Sequence, residues 1–328
     1  MIKGTEKIIV KVNANFDRGS ALFDWLKKFG QKHDNSFVFW NEYAFTTDDI
    51  PGSDALLVFN NPSEEIHITS DPDKSLAFMM EPGVSQEHPW MFKGLNQYKK
   101  VYSPLNNSAN TILSHGYLGW YFQHNWQFLS QLPVPEKTKS MSCIASGQKQ
   151  LKGHRLRTGF VEMLRKQKPE IDFFGKGSNY LPDKLDGLLP YRFSIAIENT
   201  SAPYYFTEKI NDCFLAYTVP LYYGCKNIGK YFPEKSFINI DITEHGKAIR
   251  KIEEAIENND WHERLNALQE ARELVLNKYQ PLAGAAAIFR ETESSGSKQK
   301  IEIDPINATM LRRIKDVIVK ARNKKQQL

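Results

Sequence analysis

Between Tyr191 and Gly224 the chain reads YRFSIAIENTSAPYYFTEKINDCFLAYTVPLYYG, and most of its chemistry-bearing side chains fall in one short stretch of it. Glu198 and Asn199 end an apolar alternation of Phe193, Ile195 and Ile197; Tyr204, Tyr205, Glu208 and Lys209 follow at once. Carboxylates accept sugar hydroxyls, and an ammonium beside the free N–H groups of a helix start takes phosphate. Together these residue types suit a ribose–phosphate ligand, although a helix with an ordinary charged first turn would also look like this. A second cluster is Gly153-His154-Arg155-Leu156-Arg157. Cations at a helix start oppose the macrodipole by roughly 0.3–1 kcal/mol each, and a bound anion would reverse that sign. His154 and Arg155 are expected to be solvated. Arg157, one position off the stripe Leu156–Phe160–Met163/Leu164, is open between solvation and ligand binding. Asp71-Pro72-Asp73 is formally a D-x-D metal–diphosphate pattern, but a proline between the acids, among Thr69, Ser70 and Lys74, predicts a polar turn. The aromatic-rich stretch holding His115, Trp120, His124 and Trp126 is expected to be packing rather than a sugar platform. No G-x-G-x-x-G, P-loop or paired His/Cys metal spacing occurs.

These residues need a frame. Apolar runs at 8–12, 37–40, 55–59, 76–80 and 100–102 predict short strands, with a helix over 21–29 carrying Leu22, Trp25, Leu26 and Phe29. Pro133 to Lys139, polar and stiffened by two prolines, predicts a domain linker. The alternation restarts with strands at 142–146, 171–174, 193–197, 219–223 and 237–240, and helices at 153–166 and 207–217. Two amphipathic helices follow, carrying Ile249, Ile252 and Ile256, then Leu265, Leu268 and Val275. The expected fold is α/β, with two Rossmann-like, doubly wound domains facing a cleft. Residues 1–136 form the N-terminal domain and 137–289 the C-terminal domain. Residues 290–328 are expected to be a mobile linker and a basic amphipathic helix, striped by Met310, Ile314, Val317, Ile318 and Ala321.

With 41% hydrophobic and 25% charged residues among 328, disorder and fibrous architectures are excluded. Three cysteines, Cys143, Cys213 and Cys225, are too scattered for a disulfide framework or a zinc site. A net charge of +5 permits an anionic partner without choosing among nucleic acid, nucleotide phosphate and anionic lipid.

The stretch 191–224 resembles the donor-binding motif of the α-1,3-fucosyltransferase family, glycosyltransferase family ten. The matching pieces are Ile197-Glu198-Asn199, Tyr205-Phe206-Thr207-Glu208-Lys209 and Pro220-Leu221-Tyr222-Tyr223-Gly224, without a gap. Tyr231 to Ile238 continues the likeness; Gly153–Arg157 and Asp172–Gly177 resemble more distant parts of the same domain. The resemblance covers about residues 140–280 and is strongest over 191–241. It implies a GT-B glycosyltransferase that inverts the anomeric centre, uses GDP-fucose as substrate, and needs neither metal nor cofactor. Arg157, Glu198, Asn199, Tyr205, Glu208 and Lys209 would hold the donor. Glu81, after the strand Ala77–Met80, would be the general base. The family's animal members carry a membrane anchor that this sequence lacks, so the resemblance implies a soluble, cytoplasmic, bacterial enzyme, with the basic tail at most touching the inner face of an anionic membrane.

The leading reading is therefore a fucosyltransferase-like enzyme acting on a glycan acceptor. Its neighbour is the same fold with another nucleotide-sugar donor. A basic membrane-surface or nucleic-acid-binding protein is a reading of another class; the tail supports it, but the body shows no stacking or helix-turn-helix pattern.

Overall fold

Apolar runs too short for helices become the parallel strands of two separate sheets in a computed structural model, which describes residues 7–16, 20–82, 89–145, 152–175 and 179–306. The first sheet is built from β1 (Ile8–Ala14), β2 (Lys32–His33), β3 (Val38–Trp40), β4 (Tyr43–Thr46) and β5 (Ala55–Phe59), then β7 (Ser75–Phe78), β8 (Lys100–Ser103) and β9 (Thr111–Leu113); α1 (Ser20–Lys27) follows β1, and β6 (Ile66–Ser70) lies outside this sheet. Its order is β2-β3-β4-β1-β5-β7-β8-β9, parallel from β4 to β9, with β2–β3–β4 antiparallel. All five residues of β5 are buried, as a strand covered on both faces requires.

The predicted helix alternation holds only in part here. The described connections from β5 to β8 contain β6 and three short 3-10 turns instead of α-helices. Asp71-Pro72-Asp73 is the first of those turns: Asp71 accepts from the Asp73 N–H at 2.9 Å, and Asp73 pairs with Lys99 at 2.7 Å.

The second sheet uses β10 (Lys139–Ile144), β11 (Asp172–Phe174), β12 (Tyr191–Ile197), β13 (Val219–Tyr223) and β14 (Ile238–Asn239). Between and around them run α2 (Trp126–Gln131), α3 (Lys152–Gln167), α4 (Glu208–Leu215), α5 (His245–Asn258) and α6 (Trp261–Leu274). The order β11-β10-β12-β13-β14 is parallel throughout, so by sequence within the sheet it is 2-1-3-4-5, a doubly wound pattern. The order reverses between β10 and β12, and the carboxyl ends of those two strands are where such a sheet offers a ligand crevice. Among the described residues no helix is long and apolar enough to cross a membrane.

The last described elements, α7 (Pro281–Glu291) and β15 (Gln299–Ile303), return the chain to the first unit. β15 pairs antiparallel with β6, and this ribbon sets Ile66, Ile68 and Ile303 into one core with Leu56, Val58, Ala77 and Val101. The ribbon covers the sheet face that a crossover helix would otherwise fill. Residues 290–303, expected to be a linker, thus include a strand. The predicted basic helix over Met310–Leu328 lies outside the described residues, as do Lys176 and Gly177.

The chain divides into units differently from the sequence reading, at 113/114 and 284/285, with Lys28–Gly30 also in the second unit. The stretch after Pro133 and Pro135, read as a solvated linker, packs inward: Lys137 is only 7% exposed. Its ammonium donates to the carbonyls of Leu189 (2.8 Å) and Ala216 (2.7 Å) and lies 3.1 Å from the Thr218 hydroxyl. That satisfies its three protons and ties the end of α4 to the segment entering β12. Lys137→Met keeps the stem but strands these acceptors, and should cost about 3 kcal/mol in urea unfolding. Lys139→Met, which removes an exposed pair with Asp172, should cost less than about 1 kcal/mol. Equal losses would mean that Lys137 is an ordinary surface lysine.

Candidate functional site

At the carboxyl end of β12 the chain turns a buried carboxylate back on itself. Glu198 is 1% exposed. Its Oε1 accepts the Thr207 N–H at 2.8 Å, and the Thr207 hydroxyl lies 2.8 and 3.0 Å from its two oxygens. Lys209 Nζ stands 3.4 Å from Oε2 and the Tyr222 hydroxyl 3.4 Å from Oε1. Thr207 is also the N-cap of α4, its hydroxyl accepting from Lys209 N–H. One carboxylate therefore joins the end of β12, the start of α4 and the end of β13. Burial pushes its pKa up, while Lys209 and the Thr207 donors pull it down less strongly.

Two glycines make the arrangement possible by close approach. A Cβ at Gly224 would lie 2.4 Å from Glu198 Cγ, so the end of the Pro-Leu-Tyr-Tyr-Gly motif is glycine because Glu198 occupies that space. A Cβ at Gly153 would fall 1.5 Å from the Asn199 carbonyl oxygen, so glycine lets the first turn of α3 rest on the β12 terminus.

The loop between β12 and α4 is pinned along its length. Tyr205, 5% exposed, donates its hydroxyl to Asn199 Oδ1 at 3.1 Å. Tyr204, with a left-handed φ of 63°, gives its N–H to Asn227 Oδ1. Phe206 stacks on His115 with centroids 4.6 Å apart, inside a cluster with Tyr231, Phe232 and Tyr279. His115 Nδ1 accepts the Tyr117 N–H, so the proton sits on Nε2. Burial, with the Lys278 charge, drives the His115 pKa down to about 3 and keeps the ring neutral. His115 and Trp120 are core residues, as the sequence suggested.

A cavity of about 430 Å³ opens at the reversal point of the sheet, against Ile144 and Ala145 at the end of β10 and Ile197 and Asn199 at the end of β12. Arg157, Asn199, Glu208 and Lys209 line it together. Glu198 and Tyr205 do not; they lie behind the lining and hold it. The structure corrects the face of α3: Leu156 is 38% exposed, whereas Arg157 joins Phe160, Val161 and Leu164 on the buried side. Burial lowers the Arg157 pKa, against the pull of Glu198, Glu208 and Tyr205.

Two lining residues escaped the sequence reading. His154, expected to be solvated, is half-buried in the cavity wall. Lys184 comes from a 3-10 turn and is held by Asp212 Oδ2 at 2.6 Å. A signal existed: Asp212 sits one turn beyond Glu208 on an apolar helix face, and a fully buried acid there requires a cation. Asp212 Oδ1 also accepts the Tyr121 N–H at 3.0 Å. Glu81 lies in the other unit, half-buried just past β7, where Asn60 Oδ1 accepts the Met80 N–H at 2.8 Å. Among the described residues no group of three His, Cys, Asp or Glu side chains could hold a metal ion.

Residues 134–264 match the family model described as "Glycosyltransferase family 10 (fucosyltransferase) C-term". This segment is thus similar to glycosyltransferase family 10. The matched segment contains every cavity residue named above. Among curated relatives, the α-(1,3)-fucosyltransferase FucT of Helicobacter pylori is 40% identical over 58 residues, 18% of this chain and 12% of that protein. Human 4-galactosyl-N-acetylglucosaminide 3-α-L-fucosyltransferase FUT6 is 23% identical over 203 residues, 58% of this chain and 54% of that one. The chain thus spans about half or less of the length of these relatives. A crystal structure of an α1,3-fucosyltransferase superposes with a TM-score of 0.51 at 19% identity, covering 81% of this chain and 82% of that one. A second, with GDP, gives 0.50 at 17% identity over 85% and 94%. The fold is that of GT-B glycosyltransferases, with a Rossmann-like sheet in each unit.

The charges around the cavity carry a pH signature. Burial alone would raise the Glu208 carboxyl, but Lys209 and Lys184 together outweigh it and hold it at about 2, below the ordinary 4.5. Its contribution to stability is therefore complete above pH 4.5 and lost as pH falls toward 2. Glu208→Gln should flatten the fall of Tm between about pH 5 and pH 2.5 relative to the parent protein. Parallel curves would show that the three charges are not coupled.

Proposed function

We propose that the chain is an inverting glycosyltransferase that moves a sugar, fucose from GDP-fucose by preference, to a hydroxyl of a glycan acceptor without a metal ion in the chemistry. The observation that supports this best is one cavity carrying Arg157, Lys184 and Lys209 beside Glu208, at the reversal point of a parallel sheet. Fixed cations stabilise the charge that develops on a departing diphosphate, which is the work a metal does in other transferases. Lys184 and Lys209 are held by Asp212 and Glu198, so their charge is in place before the donor arrives. The Glu208 carboxylate accepts ribose hydroxyls, and Asn199, fixed by Tyr205, offers an amide.

The acceptor hydroxyl must lose a proton as it attacks. Glu81 is our candidate base. A carboxylate within reach of the attacking hydroxyl can take its proton in the transition state.

The test couples binding to turnover. GDP at a hundredfold excess over its Kd should stabilise the protein by about 2.7 kcal/mol, and Arg157→Ala and Lys209→Ala should lose most of that shift. Glu81→Gln should keep the shift and lower transfer about 10²-fold or more. Stabilisation by UDP or CMP with none from GDP would overturn the donor; transfer by Glu81→Gln within a few-fold of the parent would overturn the base.

A further inference from the structure

Glu81 stands just past the end of β7, and a side chain from the neighbouring strand holds the backbone that carries it. β5 and β7 run parallel and in register up to Phe59 opposite Phe78. One residue further, the Asn60 N–H still donates to the Phe78 carbonyl at 2.8 Å. A continuing parallel ladder would next send the Met80 N–H to the Asn60 carbonyl. Instead Asn60 turns into the left-handed region, with a φ of 62°, and β5 ends before it. Its side chain takes over the missing rung: Asn60 Oδ1 accepts the Met80 N–H at 2.8 Å. On the other flank the Met79 N–H donates to the Tyr102 carbonyl at 2.8 Å. The two residues before Glu81 are thus held from both sides, although β5 has already left the ladder.

The position makes three demands. Its φ favours glycine, asparagine or aspartate over other side chains. Its side chain must accept from Met80. It must also donate, because Asn60 Nδ2 gives a hydrogen bond to Asn15 Oδ1 at 3.2 Å, just past the end of β1. Glycine meets the first demand, aspartate the first two, and asparagine all three. Asn60 is 4% exposed, so little water competes for these bonds. The sheet itself does not require the extra rung, since β5 is already paired with β1 and β7 on its two sides. What the rung adds is a fixed course for the chain at residue 81. We propose that Asn60 is a positioning residue for the transfer reaction, setting the Glu81 carboxylate through the backbone of Met80; this rests on the reading of Glu81 as the base. A base must stand within hydrogen-bond reach of the proton it takes. Misplacement by about 1 Å costs up to about 100-fold in rate. Asn60 and Glu81 belong to one unit and the donor cavity to the other, so loss of the rung leaves donor binding unchanged.

The experiment follows release of GDP from GDP-fucose in the presence of N-acetyllactosamine. It uses the full chain and its variants Asn60→Gly, Asn60→Asp, Glu81→Gln and the double variant Asn60→Gly/Glu81→Gln. Glycine keeps the left-handed backbone and loses only the side chain. Asn60→Gly should lower kcat about 30-fold and leave KM for GDP-fucose within about twofold. Beside Glu81→Gln the same change should cost less than about twofold, because the group it positions is no longer a base. Asn60→Asp keeps the acceptor for Met80 and should hold kcat within about threefold of the parent. A loss of equal size in both backgrounds makes Asn60 a purely structural residue and overturns the proposal while Glu81 stands. Unchanged kcat in Asn60→Gly, or a loss in Asn60→Asp as large as in Asn60→Gly, overturns it too. Turnover by Glu81→Gln within a few-fold of the parent overturns the base, and this inference with it; so does a parent that releases no GDP. A thermal melt checks folding. Should Asn60→Gly melt below the assay temperature, Asn15→Ala, at an exposed position, takes its place in the cycle. Its loss of about threefold should vanish beside Glu81→Gln, and no loss, or one that persists there, overturns the proposal.

Discussion

Glu198 is a charge placed where a charge is expensive, and the geometry of the second unit around it follows from how that cost is met. Taking a carboxylate out of water costs several kcal/mol unless donors surround it. Here the donors are the backbone and hydroxyl of Thr207 and the Lys209 ammonium, from the start of α4, and the Tyr222 phenol, from β13. Each donor is drawn to one point, so the strand end, the helix start and the next strand end are fixed relative to each other. Lys209 is thereby anchored on its inner side while it still lines the cavity. Glycine at 224 and threonine at 207 are consequences of the same constraint, one for space and one for a hydroxyl at a helix cap.

The same logic repeats one turn along α4. Asp212 is fully buried and draws in Lys184 from a turn far away in sequence. Two acids under the floor thus hold two cations at its surface, with Glu208 between them. This is preorganisation in the electrostatic sense: charge is fixed during folding and need not be gathered when the ligand binds. It also explains why the cavity walls are rich in ionisable groups yet the carboxylates that organise them, Glu198 and Asp212, never face the ligand.

Much of this was legible in the sequence where the signal is local. β5 and β13 occur at the residues that their apolar runs predict, and Thr207 followed by Glu208-Lys209 marks the helix start as a cap should. What escaped depends on distant partners. The β6–β15 ribbon joins segments more than two hundred residues apart, and neither half has a pattern strong enough to announce a strand alone. Lys137 read as solvent because lysine in a short polar stretch after prolines usually is, and only the carbonyls of Leu189 and Ala216 make it a core residue. Arg157 and Leu156 exchanged faces because the guanidinium is drawn inward by the carboxylates of Glu198 and Glu208, which are distant in sequence. Lys184 was invisible for the same reason as the ribbon: its place is set by Asp212, not by its neighbours.

On the proposed function, Glu198 acts on the donor through Lys209 and not by touching it. A double-mutant cycle on GDP affinity tests this most directly. Lys209→Ala alone should weaken GDP by about 100-fold and Glu198→Gln alone by about tenfold, while the double variant should bind within about twofold of Lys209→Ala, because the second change removes support for a group already gone. If the two losses multiply, to about 1,000-fold, Glu198 makes its own contact with the ligand and the account of it as a buried organiser is wrong.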